Sequence, residues 1–253
     1  MGILNITPDS FYDGGKNLIL EHLKSTLKSL MKSDIIDIGA ESSRPYSKPI
    51  SVNDEINRLS LLKSINFEKK ILSIDSYKYE TIKYCLNNGY SMINDISGGG
   101  DKYENIDLAC EYDVPIVIMH MQGNPINMQD EPIYNSIIDD IKLFFEKRIN
   151  YALKIGMNEK NIIVDPGIGF GKTTKDNDEI ILNLSTLKEM GYPLLIGVSR
   201  KSFLSFDNDL AIDRLYATLG VSAISVMNGA DILRVHDIHE TKSMISIIDR
   251  IKN

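Results

Sequence analysis

Two cysteines and four histidines are all that 253 residues offer in thiol or imidazole groups. Cys85 and Cys110 sit apart, each among apolar residues at helical spacing, so both read as core packing rather than as a disulfide, redox or metal pair. No paired cysteine or histidine spacing suits zinc. No apolar run reaches the roughly 18 residues that a membrane helix needs, and no charged-then-apolar leader precedes the first strand pattern, so no membrane is expected as a partner and the expected location is cytoplasmic. Cations are also short: 28 Lys and Arg face 35 Asp and Glu, for a net charge of −7. That balance argues against nucleic acid as a partner and means that any anionic substrate must be met by a local cluster of cations.

What the chain does have is rhythm. Apolar strand patterns fall at Gly2–Thr7, Asp34–Ala40, Lys70–Asp75, Met92–Ile96, Pro115–Met121, Ile162–Asp165, Leu194–Ser199 and Asp231–His236. Between them apolar residues recur three and four apart, as on helices. The longest such pattern runs from about Ile133 to Ile155, with Ile133, Ile137, Ile141, Phe144 and Phe145 as its buried stripe. The closing one carries Met244, Ile245, Ile248 and Ile251. Eight strands alternating with eight helices specify an α/β fold, a (β/α)₈ TIM barrel; a doubly wound open sheet would more often show five to seven strands. There is no linker, low-complexity tract or composition break, so residues 1–253 read as a single domain.

The stretch Ile162–Lys172, IIVDPGIGFGK, organises the rest. Three branched apolar residues suit a strand buried on both faces, and Asp165 then places a carboxylate at its carboxyl end. Pro166 stops the pairing, and Gly167, Gly169 and Gly171 leave room around Phe170 for a ligand to approach the backbone. Gly171-Lys172-Thr173 imitates the end of a phosphate-binding P-loop, but the first glycine of that motif would have to be residue 166, which is proline.

Polar groups gather at the other strand ends too: Asn5 and Thr7, Glu41, Asp75, Asn94, His120, Arg200 with Lys201, and Arg234 with His236. A barrel brings these ends to one face. Asp75, Asn94 and Asp165 suit either the N–H and ring-nitrogen edge of a planar heterocycle or a divalent metal. Asp95 neighbours Asn94 and must face the other way. Ser43 and Arg44 suit a phosphate, and alternation puts Arg234 and His236 on one side as a prospective anion clamp. His120 reads as a core histidine. The helical run Leu215–Met227 is apolar or small nearly all round, which predicts burial against a second copy in a homodimer.

In order along the chain, MGILNITPDSFYDGG, DIGAESSRP, ILSIDS, INDISGG, MHMQGNP, DPGIGFGK, GVSRKS and RVHD resemble the dihydropteroate synthase family, pterin-binding barrel enzymes of folate biosynthesis. The resemblance covers essentially the whole chain. It implies transfer of the pterin methylene from 6-hydroxymethyl-7,8-dihydropterin diphosphate to 4-aminobenzoate, with Mg²⁺. It places the pterin against Asp75, Asn94, Asp165 and Lys201, and the diphosphate against Asn5, Ser43, Arg44, Arg234 and His236, with Asn5 also near the metal. The aminobenzoate falls near Phe170, Lys201, Ser202 and Pro45, and Phe11 and Asp13 in a first loop that closes over substrate. Departures are few: Ser43 stands for a threonine, Ala40 and Tyr46 for glycines, and Tyr12 for a small residue.

The chemistry is coherent with this. A methylene conjugated with the dihydropterin ring can carry positive charge once its C–O bond breaks, and the strand ends supply carboxylates for the ring and cations for the diphosphate. They hold no obvious base for a weakly basic arylamine, so ionisation is expected to precede amine attack.

Overall fold

In the computed structural model the described residues are 1–6, 26–43, 46–63, 65–67, 70–206 and 210–252. Six strands lie in chain order in one parallel sheet: β1 (Gly2–Asn5), β2 (Ile35–Gly39), β3 (Ile71–Asp75), β4 (Met92–Asp95), β5 (Ile116–Met119) and β6 (Ile162–Asp165). Two short strands, β7 (Leu195–Ile196) and β8 (Ile232–Leu233), pair with each other. Single bridges complete the circle, Val164 with Leu194 between β6 and β7, and Gly2 with Val235 between β8 and β1. Ile3 donates to the Val235 carbonyl and Val235 to that of Met1, both at 3.0 Å. The ring is therefore a closed (β/α)₈ barrel, with strand centres as expected, β6 matching its expected span and the other strands shortened by one to three residues at one or both ends.

The helices are α1 (Val52–Ser60), α2 (Tyr79–Leu86), α3 (Glu104–Glu111), α4 (Ile137–Lys154), α5 (Thr174–Leu182), α6 (Leu184–Lys188), α7 (Leu215–Met227) and α8 (Ile238–Lys252); residues 26–30 are helical as well. Caps explain several starts. Ser51 accepts from the Asp54 N–H, and Thr173 and Asp176 cap each other reciprocally at the head of α5. Among the described residues no helix is long and apolar enough to cross a membrane.

Strand alternation sorts the core into two parts. Ile36, Ile38, Ile74, Ile93, Ile116, Ile118, Val164 and Ile196 face outward and pack with the helices. The opposite set fills the barrel. Met1, Met92, Val117, Ile163 and Leu195, with Ile35 and Ile232 beside them, make an apolar plug at its lower end. Two residues further along several of these strands the same inward face turns polar, at Asp37, Asn94, Asp165 and Arg234. An apolar floor and a polar upper layer thus follow from one inward alternation.

Two expected stripes need correcting. The long helix starts at Ile137, and Ile133 lies outside it, 74% exposed. The Gln122 side chain explains this: its amide oxygen accepts from the Ile133 N–H at 3.0 Å and its nitrogen donates to the Ile133 carbonyl at 2.9 Å, so that backbone belongs to the loop after β5. On α8, Ile248 is buried as expected but Ile251 is 72% exposed and turns outward with Ile247. On α7 the pattern is inverted: Thr218, Ser222 and Ser225 are buried, while Tyr216, Ile224 and Met227 are exposed.

Asn94 and Asp95 separate as alternation requires. Asp95 faces the helix layer, where its carboxylate accepts from the Ser97 N–H (2.7 Å), the Ser97 hydroxyl (2.6 Å), the Gly99 N–H (2.9 Å) and Asn105 (2.9 Å). It organises the turn after β4 and helix α3. Asp95→Ala leaves these buried donors without an acceptor and is expected to cost about 2–4 kcal/mol of stability in urea unfolding. Ligand affinity at the opposite face of β4 should stay within a factor of two.

Candidate active site

Register brings the predicted groups together. Asp75 is the cross-strand partner of Asn94, and Asp165 that of Met119 two strands on, all at the carboxyl ends of their strands. Gly39 sits beside Asp75 in β2, where a Cβ would stand 3.1 Å from the Asp75 Oδ2. The missing side chain leaves that carboxylate its place.

Arg234, just past β8, joins two carboxylates across the barrel. Its Nε donates to Asp37 Oδ2 at 2.6 Å and its terminal nitrogen to Asp75 Oδ2 at 2.5 Å. Asn94 Nδ2 donates to the same Asp37 oxygen at 2.9 Å. Asp37 was not among the expected site residues. Its signal was a charge inside the apolar run IIDIG, at an inward position two residues before Gly39.

Electrostatics follow burial. Desolvation pushes the Asp75 carboxyl up to about 7, against the opposing pull of Arg234. Burial also raises Asp165, offset by the Gly167 N–H (2.7 Å) and by Lys201. Burial lowers Lys201 to about 8, with Asp165 pulling it back. Burial alone would lower Arg234, but Asp37 and Asp75 hold it above the ordinary guanidinium value.

Lys201 donates to the Ile168 carbonyl and stands 4.3 Å from the Phe170 ring centroid, so the loop after β6 and the segment after β7 meet there. Ser202 opens the following 3₁₀ turn and is exposed. Gly167 holds φ at 70°, where a Cβ would collide with the His120 carbonyl oxygen, so only glycine suits the turn after Asp165. Lys172 is buried beneath this loop and donates to the Phe170 carbonyl (2.9 Å), the His120 carbonyl (3.2 Å) and His120 Nδ1 (3.1 Å). It is a structural tie rather than a phosphate lysine. His120 packs edge-on against Phe144, and burial followed by Lys172 keeps its ring neutral.

The other expected groups divide. His236 is exposed, with Nδ1 2.9 Å from the Ser199 hydroxyl, which also accepts from the His236 N–H at 3.2 Å. Arg200 turns away, paired with Asp237 at φ 58° while its N–H meets Thr218. Glu41 is a loop anchor: it accepts from Tyr77, Lys78 and the Ile50 N–H, closing the base of the segment that carries Ser43. Tyr46, where the resembled family has glycine, sits at φ 63° and donates its N–H to the Pro125 carbonyl at 2.9 Å. Asn5 ends β1 half-buried, opposite Gly39. Thr7, Phe11, Tyr12, Asp13, Arg44 and Pro45 lie outside the described residues. Among the described residues there is no group of three histidine, cysteine, aspartate or glutamate side chains able to hold a metal.

A layer of carboxylates and cations above an apolar plug, beside a glycine-rich loop with one aromatic ring, suits a planar, donor-rich ligand. Comparison with known proteins agrees. The family model described as pterin binding enzyme matches residues 1–236. A dihydropteroate synthase of Clostridium beijerinckii is 38% identical, with 99% of this chain and 93% of the relative covered. Among solved structures, a Clostridium difficile dihydropteroate synthase crystallised in the presence of pteroic acid superposes with a TM-score of 0.89 at 35% identity, covering 99% of this chain and 95% of the other. The Xanthomonas albilineans enzyme with 4-aminobenzoic acid does so with a TM-score of 0.89 at 32% identity, covering 100% and 92%. The chain belongs to the pterin-binding enzyme family, among the dihydropteroate synthases.

Proposed function

We propose that this barrel joins 6-hydroxymethyl-7,8-dihydropterin diphosphate to 4-aminobenzoate, giving 7,8-dihydropteroate and diphosphate, within one domain spanning residues 1–253. The observation that carries this reading is the convergence of Asp75, Asn94 and Asp165 with Lys201 over an apolar floor. In it the two carboxylates and the amide take the donor-rich edge of the pterin, and Lys201 lies over the ring beside Phe170. The aminobenzoate occupies the outer mouth near Phe170, Lys201, Ser202 and Pro45. The diphosphate lies toward Asn5, Ser43, Arg44, Arg234 and His236. Phe11 and Asp13 belong to a loop that covers both substrates and keeps water out.

Asn5 at the end of β1 offers one amide oxygen to a metal. That fits Mg²⁺, which keeps several waters and binds substrate phosphates rather than a full protein cage, and which would supply charge for the departing diphosphate. The protein's own residues carry the rest. Asp75 and Asp165 stabilise positive charge spreading into the ring as the methylene C–O bond breaks and its electron pair leaves with the diphosphate. The arylamine nitrogen then bonds to the methylene and passes its proton to the departed diphosphate or to solvent. Ionisation comes first in this proposal because, among the described residues, Asp75 and Asp165 are taken up by the pterin edge and neither is left to serve as base for the arylamine. Purified protein given both substrates should release diphosphate, and single-turnover rates across aminobenzoate analogues of differing nucleophilicity should be nearly flat. A steep rise with nucleophilicity would show the amine bonding as the diphosphate leaves, and no release at all would sink the activity itself.

Two of the shifted groups, Asp75 and Lys201, bracket a pH window. Asp75 must lose its proton to accept from the ring, so pterin binding should strengthen as pH rises through about 7. Lys201 loses its charge above about 8, so activity should fall again there. The profile of kcat/KM is therefore expected to be a narrow bell. Asp75→Asn should remove its acid limb and Lys201→Met its basic limb.

The protein works as a soluble cytoplasmic homodimer in this reading, with α7 at the two-fold. Support comes from outward apolar residues on α7 and the two helices packed against it: Tyr216, Ile224 and Met227 of α7, Leu182 of α5, and Ile247 and Ile251 of α8. Scattered single apolar residues are ordinary, but a helix with its small polar residues inside and its apolar ones outside is not. Light scattering should give twice the 28.5 kDa chain mass, and Tyr216→Glu with Met227→Glu should return it to 28.5 kDa.

A further inference from the structure

Asp37 lies in the middle of β2, fully closed off from solvent, one step below the groups that face the ligand. Among the described residues one of its oxygens takes both hydrogen bonds: Oδ2 accepts from Asn94 Nδ2 at 2.9 Å and from Arg234 Nε at 2.6 Å. Oδ1 is buried with no hydrogen-bond partner among the described residues. On the next strand the register mate Ser73 also buries a hydroxyl without a partner, so the adjoining wall does not hold this carboxylate either. Arg234 and Asn94 are what Asp37 is there to meet.

An ionised carboxylate accepts hydrogen bonds and cannot donate them. Asn94 must therefore turn its amide nitrogen toward Asp37, which leaves its oxygen on the other side of the amide. An asparagine with no such neighbour can rotate by half a turn and offer either a donor or an acceptor. Arg234 is fixed by the same oxygen and reaches from there to Asp75.

We infer that Asp37 is a positioning residue for ring recognition: by holding the Asn94 nitrogen and the Arg234 guanidinium, it makes the pocket present acceptors from Asn94, Asp75 and Asp165, and so selects a 2-amino-4-oxopteridine over its 2,4-dioxo counterpart. This rests on the assignment of the pterin to those three residues. Replacing the amino group by an oxo group puts an acceptor where the pocket has only acceptors, a mismatch that buried polar sites discriminate strongly against.

The test compares calorimetric binding of 6-hydroxymethylpterin and 6-hydroxymethyllumazine, neither of which carries a diphosphate. The wild type should favour the amino compound by at least about a hundredfold. In Asp37→Asn, Asn94 is free to rotate, and the preference should fall at least tenfold while the dissociation constant for 4-aminobenzoate changes less than twofold. A preference unchanged within twofold in a folded Asp37→Asn protein overturns the inference. So does an equal loss of affinity for both pteridines and for aminobenzoate, which is the signature of a merely structural residue. Should Asp37→Asn fail to fold, the wild type decides through the Asn94 side-chain amide in nitrogen-15 NMR. Slow proton exchange and a shifted signal in the free protein support the contact with Asp37, and rapid exchange overturns it. The underlying assignment fails separately, if Asp165→Ala binds 6-hydroxymethylpterin as well as the wild type does.

Discussion

The guanidinium of Arg234 between Asp37 and Asp75 is the contact on which the upper barrel depends. Three carboxylates, Asp37, Asp75 and Asp165, sit in the barrel interior, each 12% exposed or less. Like charges in low dielectric cannot all persist without cations among them: Lys201 offsets Asp165, and Arg234 meets Asp37 and Asp75. Arg234 reaches Asp37 across 197 residues of sequence. It also precedes Val235, whose bridge to Gly2 closes the ring. Closure of the barrel and assembly of its charged layer are thus one event. Breaking either leaves buried carboxylates unpaired.

Around that pair the fold keeps structural and ligand-facing polar groups apart by alternation alone. Asn94 points into the barrel and Asp95 out of it, though they are consecutive. Asp95 is saturated by its own turn and by Asn105, whereas Asn94 spends its nitrogen on Asp37 and keeps its oxygen. The same division runs through the loops. Glu41 with Tyr77 and Lys78 braces the segment after β2, and Lys172 with His120 braces the segment after β6. These braces have cationic ends tied to carbonyls or carboxylates. Among the described residues, the groups these braces do not use are Asp75, the Asn94 oxygen, Asp165, Lys201 and the Phe170 ring.

Much of this is legible locally. Period-two and period-three-to-four patterns locate all eight strands and, with the strand count, point to the barrel, because side-chain alternation is a property of the covalent chain and needs no partner. Asp75, Asn94, Asp165 and Lys201 are legible for a related reason: each lies at the point where a strand's apolar run stops. Parity alone separates Asn94 from Asp95, since consecutive residues of a strand take opposite faces.

What tertiary structure decided were the contacts between segments far apart in sequence. Nothing near Arg234 says that it will bind Asp37 and Asp75 rather than stand free beside His236, since that depends on how the closed ring staggers β8 against β2 and β3. Asp37 escapes a reading that looks to strand ends, because its charge falls within a strand. Arg200 looks like its neighbour Lys201, yet a left-handed backbone turns it to Asp237. Ile133 fits a helical stripe, yet Gln122 claims its backbone. Periodicity tells each residue which side of its own strand or helix it takes; the identity of the group it meets there is set by the register at which distant strands close.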